Sequence, residues 1–321
     1  MIAAGTDFIV LTGFLGSGKT TLLRDYLALP EAADTAVIVN EAGEIGLDGA
    51  ILSEGRTLPI ALLSNGCVCC SLGSGLEPTV FGMLAERERL AMPPPARIVL
   101  ETSGLAKPGP TLRSLAGLAP LRLRVGVVAT FDCTRGTALE AFEEAAAQWA
   151  GAQTLVLTKR DAVSAVALQQ ARDAAAGLNP TADMVDCDDR RAMLRAAFSL
   201  RMQSAPSRTL LQADSVGSHH PRISVVLLRF HEAVPWDDLG DWLDNLAGLC
   251  GDRLLRTKGL VRIAGAMQPL LVQSVGSVFS APRPFAADVE QRSFLVLILR
   301  DFDPRGLVEI APALPMSWTA P

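Results

Sequence analysis

Lysine is scarce in this chain. Of 29 basic residues among 321, only Lys19, Lys107, Lys159 and Lys258 are lysines, so each invites a local reason. Long apolar runs are missing as well: no stretch reaches the roughly 18 to 20 residues of a membrane span, and no membrane partner is expected. There is no basic excess, since the net charge is -5 with 20% charged residues. A nucleic-acid partner therefore lacks its electrostatic footprint. Apolar residues make up 49%, which excludes a disordered chain. Internal repeats, long charge runs and a histidine-rich tract are also missing. Met1–Asp7 has no basic opening of the secretory kind, and Phe8–Leu15 runs into glycines and Lys19 rather than a cleavage site. The expected compartment is the cytoplasm.

At roughly 150 residues per domain the length suggests two domains, each large enough to fold without a disulfide or metal. The six cysteines are distributed unevenly. Cys67, Cys69 and Cys70 form one knot, while Cys133, Cys187 and Cys250 are scattered and read as core or incidental. A tight cluster in a long chain points to metal binding or redox chemistry in a reducing compartment.

Short apolar runs alternate with amphipathic stretches through the first two thirds. Expected strands are 8–12, 35–40, 61–64, 97–101, 124–132 and 154–158; expected helices are 19–29, 76–90, 138–149 and 162–177. Such alternation predicts an α/β fold: a mostly parallel sheet flanked by helices over residues 1–202. Residues 203–221 read as a linker, rich in Ser, Pro and Gly. Residues 222–321 then form a smaller α+β domain, with strands at 223–230, 260–263, 270–278 and 294–299. Its helix carries Trp236, Leu239, Trp242, Leu243, Leu246 and Leu249 on one face after Pro235.

Gly13-Phe14-Leu15-Gly16-Ser17-Gly18-Lys19-Thr20 matches G-x-x-x-x-G-K-[ST] between a strand and a helix. Glycines let backbone N–H groups turn inward around phosphates, and the helix N-terminus adds unpaired donors and a favourable dipole. Lys19 would reach the β- and γ-phosphates, the Thr20 hydroxyl would hold Mg²⁺, and Thr21 completes the loop. Thr158-Lys159-Arg160-Asp161 follows another strand. A carboxylate at Asp161 can accept from both N1–H and the N2 amine of guanine, a pair that adenine lacks, with Lys159 lying across the base plane. Thr158 replaces a commoner asparagine and gives up an amide. Glu101-Thr102-Ser103-Gly104 closes a third strand. That is where an acid for the magnesium side and a glycine that senses γ-phosphate belong.

The loop Asn40–Gly49 carries Glu41, Glu44 and Asp48 and could respond to γ-phosphate. In Cys67-Val68-Cys69-Cys70, a turn is needed to bring three thiolates together; the result suits a tetrahedral site with its fourth position open or filled from elsewhere. Thiolates favour Zn²⁺, Co²⁺ or Cu⁺ over Mg²⁺, so the two metals need not compete. Buried small hydrophobes or a redox pair are the rival readings of these cysteines.

With these motifs in order, the chain resembles the CobW-like metal-binding P-loop GTPases, in the CobW/HypB/UreG group. Gly13–Thr21, Asn40–Gly49, Gly66–Cys70, Glu101–Gly104 and Thr158–Asp161 match that family's successive motifs. Leu254–Val261 and Leu271–Phe279 resemble the R-x-K-G and Q-x-V segments of its C-terminal domain. The resemblance implies Mg²⁺-dependent hydrolysis of GTP to GDP, coupled to binding Zn²⁺ or Co²⁺ and delivering it to a client metalloprotein. Lys19, Glu41 and Glu101 would act in catalysis. The nucleotide site would comprise Gly13, Gly16, Ser17, Gly18, Lys19, Thr20, Thr21, Gly104, Thr158, Lys159 and Asp161. Cys67, Cys69, Cys70 and Glu41 would bind the transition metal, while Thr20 and Glu101 would bind magnesium. The C-terminal domain would dock the client, and two copies could meet around nucleotide.

The chain departs from the family pattern at Ala42, where an aromatic is usual, and at Gly73-Ser74-Gly75. Lys107 stands where an acid is expected, close to the γ-phosphate sensor. Two other functions fit the same motifs. One is a GTP-dependent assembly factor for cobalamin biosynthesis or a metalloenzyme. The other is a P-loop small-molecule kinase, for whose lid Arg160 or Arg190-Arg191 are the candidates.

Overall fold

The computed structural model describes residues 5–39, 60–62, 75–139, 141–200, 222–285, 293–310 and 314–319. The chain folds as two compact units, Met1–Arg172 with Ala182–Gln203, and Asp173–Thr181 with Ser204–Pro321.

The first unit is built on β1 (Asp7–Gly13), whose seven residues are all buried. An apolar strand of this kind belongs inside a sheet covered on both faces. Around it lie β2 (Thr35–Val39), β3 (Ile60–Leu62), β4 (Arg97–Glu101), β5 (Arg124–Asp132), β6 (Thr154–Thr158) and β7 (Asp183–Val185). Their order is β3-β2-β4-β1-β5-β6-β7, and every pairing is parallel. The helices include α1 (Lys19–Leu27), α2 (Leu76–Arg89), α3 (Pro108–Arg113), α4 (Glu143–Gly151), α5 (Ala165–Leu178) and α6 (Arg190–Ala197). Leu22, Leu23 and Tyr26 of α1 and Leu194 of α6 pack on Ile9, Leu11, Val37, Val99, Val128 and Val156. On the opposite face Trp149 of α4 lies against Phe131 of β5, ring centroids 4.5 Å apart.

The helix expected over 138–149 is interrupted. A single turn at Gly136–Leu139 is followed by extended Phe142 (φ -85°, ψ 122°), and α4 begins at Glu143. Glu143 and Glu144 in the first turn favour that start, while the Phe142 ring meets Phe14 at 5.0 Å. Three elements of this unit escape the sequence pattern. α3 has only six residues, opened by Pro108. β7 has three residues, too few for a period. α6 is short, yet Asp189 caps it by accepting from the backbone N–H of Arg191 (2.8 Å) and Ala192 (3.2 Å).

The second unit is an antiparallel sheet of β8 (Ile223–Phe230), β9 (Leu254–Val261), β10 (Leu270–Val275), β11 (Val278–Phe279), β13 (Ser293–Arg300) and β14 (Met316–Thr319). Its order is β11-β10-β9-β13-β8-β14, with β12 (Arg283–Pro284) also paired to β10. Helix α7 (Trp236–Cys250) buries Leu239, Trp242, Leu243, Leu246 and Cys250 against Val226, Leu228, Leu295 and Leu297. Trp236, expected on that face, is exposed.

Strand β9 starts six residues before the expected 260. Its polar residues Arg256, Thr257 and Lys258 break the apolar pattern, yet all three are buried. Arg256 and Lys258 share a face with Leu260. There the Arg256 Nε donates to the Thr181 hydroxyl (2.8 Å) and the Lys258 Nζ to the Thr181 carbonyl (3.0 Å). The R-x-K pair thus binds Thr181 in the segment Asp173–Thr181 of the same unit, which supplies a reason for Lys258.

Candidate functional site

The loop between β1 and α1 turns through two glycines in the left-handed region, Gly16 (φ 70°) and Gly18 (φ 92°). Gly18 precedes α1 without a side-chain cap, so the first backbone N–H groups of the helix remain available to an anion. The Lys19 side chain folds back over the loop and donates to the carbonyls of Gly13 (2.8 Å) and Phe14 (3.3 Å). Ser17 is buried, its hydroxyl 2.6 Å from that of Thr130 on β5. The Thr20 hydroxyl donates to Oε1 of buried Glu101 at 2.7 Å. Two hard oxygen ligands thus meet beside the loop, a pair suited to Mg²⁺ and not to a thiophilic metal.

Gly104 lies hard against the loop. A Cβ there would come within 2.7 to 2.9 Å of Leu15 atoms, its backbone N and Cα among them. Gln148 of α4 fixes the Gly104 segment by donating to the carbonyls of Gly104 (3.0 Å) and Ala106 (2.9 Å). Lys107 forms an ion pair with Glu143 at the start of α4. The positive charge expected there is thus offset by the Glu143 carboxylate.

Thr158, Lys159 and Asp161 come to the same place as Gly18 and Thr21. All five line one cleft of about 610 Å³, together with Leu22, Leu157 and Leu168. The Thr158 hydroxyl donates to the carbonyls of Ser17 (2.8 Å) and Phe131 (3.1 Å), joining the β6 loop to the phosphate loop. Threonine thus gives up an amide here and supplies a link between the two loops instead. Lys159 adopts a left-handed conformation (φ 54°, ψ 35°), which is strained for a residue with a Cβ. Its ammonium donates to Asp132 Oδ2 at 2.7 Å.

Arg160 pairs with Asp186 (2.5 Å) and Asp188 (2.8 Å), bracing the β6 loop against the segment after β7. Arg190 pairs with Asp25 of α1. Arg160 and Arg190, two of the three arginines considered for a kinase lid, are thus held in ion pairs.

Asp132, which carries no sequence motif, closes β5 and is fully buried. Burial pushes its carboxyl up, but hydrogen bonds from Lys159 and Thr134 outweigh this and hold it below the usual carboxylate range. The resulting stabilisation is present above the unfolded value near 3.9 and is lost only as pH falls through the depressed one. The reasoning that picks out Glu101, an acid at the carboxyl end of an apolar strand, applies equally to Asp132. Cys187, expected to be incidental, lines the cleft. Cys133 and Cys250 are buried, and burial pushes both thiols up to about 11.

Glu41, Cys67, Cys69 and Cys70 lie outside the described residues, as do Glu44, Asp48 and all of 203–221. Among the described residues no group of three or more His, Cys, Asp or Glu side chains could hold a metal ion, and no helix is long and apolar enough to cross a membrane.

A parallel sheet with this loop at the end of its central strand defines a P-loop nucleotide-binding protein. The chain belongs to the CobW/HypB/UreG family: residues 7–186 match its nucleotide-binding domain. Residues 223–310 match the cobalamin synthesis protein cobW C-terminal domain. The chain is similar to the zinc chaperone YjiA of Escherichia coli, 29% identical over 298 residues, covering 90% of this chain and 92% of YjiA. The zinc chaperone CobW of Pseudomonas aeruginosa is 30% identical over 343 residues, covering 92% and 87%. The crystal structure of Zn(II)-bound YjiA GTPase from E. coli shares the fold with a TM-score of 0.67 at 24% identity, over 96% of this chain and 98% of that one.

Proposed function

We propose that this protein is a GTPase that couples hydrolysis of GTP to the binding of zinc and its delivery to a client protein. The observation that carries the reading is a cleft lined by Gly18 at the end of the glycine-rich loop, by Thr21 of α1, and by Lys159 and Asp161. Asp161 reads guanine, Lys159 covers the base, and the N-terminus of α1 with Lys19 receives the phosphates. Thr20 and Glu101 would hold Mg²⁺, which supplies charge neutralisation at the β- and γ-phosphates. Glu41 would take part in catalysis, and Gly104 would report the γ-phosphate.

Support for zinc comes from the names of the relatives, which are zinc chaperones, and from the thiolate-rich Cys67, Cys69 and Cys70 with Glu41 as a fourth donor. Cobalt suits the same donors. Residues 222–321 would dock the client, two copies would meet around nucleotide, and the work would take place in the cytoplasm.

Replacing Lys19 by alanine removes the cation aimed at the transferring phosphoryl group. GTP turnover of the Lys19→Ala protein should fall by about a hundredfold or more, with the melting temperature little changed, as read by phosphate release and thermal denaturation. Turnover within twofold of the parent protein would remove Lys19 from the chemistry.

A further inference from the structure

Asp132 divides its two oxygens. Oδ1 accepts from the backbone N–H of Thr134 (2.9 Å) and from the Thr134 hydroxyl (2.6 Å), so the turn after β5 fixes the carboxylate in place. Oδ2 accepts from Lys159 Nζ at 2.7 Å and from Arg135 Nε at 3.4 Å. The other end of Arg135 donates through Nη2 to the carbonyl of Leu15, inside the phosphate loop. One fully buried carboxylate therefore holds the lysine of the base loop and an arginine that touches the phosphate loop.

A lysine stem left free would sample many rotamers, and nucleotide would have to order it on binding. Here the ammonium is already anchored on Asp132, from a residue whose own backbone is left-handed. Preorganisation of this kind raises affinity by removing an ordering cost from the binding step.

We propose that Asp132 is the positioning residue of the base site: it sets Lys159 across the base plane before nucleotide arrives and, through Arg135, joins that lysine to the phosphate loop at Leu15. The proposal rests on the reading of Lys159 and Asp161 as guanine-binding. Asp132 does not line the cleft, so its effect must pass through Lys159 and Arg135. That gives it a signature which general loss of structure does not have.

The test is a double-mutant cycle on the full-length protein, read as equilibrium Kd for GDP and for ADP. Asp132→Asn keeps shape and most hydrogen-bonding capacity while removing the charge. It should weaken GDP binding about tenfold, equal to about 1.4 kcal/mol, and weaken ADP binding by less, because only guanine is also held by Asp161. Lys159→Ala should weaken GDP at least as much, and the double variant should be weaker than Lys159→Ala by no more than the loss seen in Arg135→Ala. Arg135→Ala alters a half-exposed side chain, so folding is not at stake, and it should weaken GDP severalfold.

Equal losses for GDP and ADP in Asp132→Asn, fully additive losses in the double variant, or no effect of Arg135→Ala would each overturn the proposal. An Asp161→Asn control separates the two levels. If it leaves GDP binding tight, the base reading fails and the proposal falls with it. If it abolishes GDP binding while Asp132→Asn does nothing, the proposal alone fails.

Discussion

Asp161→Asn should change the base this protein selects from guanine to xanthine. An ionised carboxylate can only accept, and guanine offers it two donors, N1–H and the N2 amine. An asparagine offers one acceptor and one donor, so it opposes the N2 amine with its own N–H₂. Xanthine keeps N1–H but carries a carbonyl at C2, which that N–H₂ can satisfy. Each hydrogen bond to a charged group is worth about 1.5 to 3 kcal/mol, and a mismatched buried donor adds its desolvation cost. GDP affinity should therefore fall by about a thousandfold, and XDP should become the preferred ligand. Competition of GDP, XDP and ADP against a fluorescent nucleotide measures this, and retained GDP preference would dismiss Asp161 as the base reader. Ser17, Thr158 and Phe131 are joined by hydrogen bonds that do not involve Asp161, so the pocket should survive the change.

Gly259→Ala should destabilise the second unit by at least about 3 kcal/mol, the upper range for forcing an extra carbon into a packed interior. Gly259 sits in β9, between β10 and β13, opposite Leu295. A Cβ at this position would lie 2.1 Å from the Phe294 carbonyl oxygen and 2.7 Å from the Leu295 Cα. Both atoms belong to the backbone of the neighbouring strand, so no rotamer change can relieve the contact and the strands must separate. Separation would also move Lys258 and Arg256 from Thr181. A drop of several degrees in melting temperature is the expected outcome, and an unchanged one would show that the strands yield without cost.

These two sites illustrate what the sequence makes legible. The phosphate loop is readable because its chemistry imposes fixed spacing between a strand, three glycines and a helix. Asp161 is readable because guanine demands an acid at a strand end. Gly259 and Lys258 are visible only as members of a family segment. Their physical reasons lie in a neighbouring strand and in the carbonyl of Thr181, partners that no local period encodes. The environment of Lys107 is hidden on the same grounds, since its ion-pair partner Glu143 lies 36 residues later. Asp132 obeys the rule that finds Glu101, but no motif draws the eye to it. The cysteine segment stands on sulfur chemistry and on its place in the family, because it lies outside the described residues.

Nucleotide state should govern metal affinity. A Zn²⁺ titration of the reduced full-length protein with Mg²⁺ and a non-hydrolysable GTP analogue, repeated with Mg²⁺ and GDP, tests it most directly. One Zn²⁺ should bind at least about tenfold more tightly in the GTP-like state, within the range usual for coupled sites. That difference should vanish when Cys67, Cys69 and Cys70 are all replaced by serine. Equal affinities in the two nucleotide states would contradict the account.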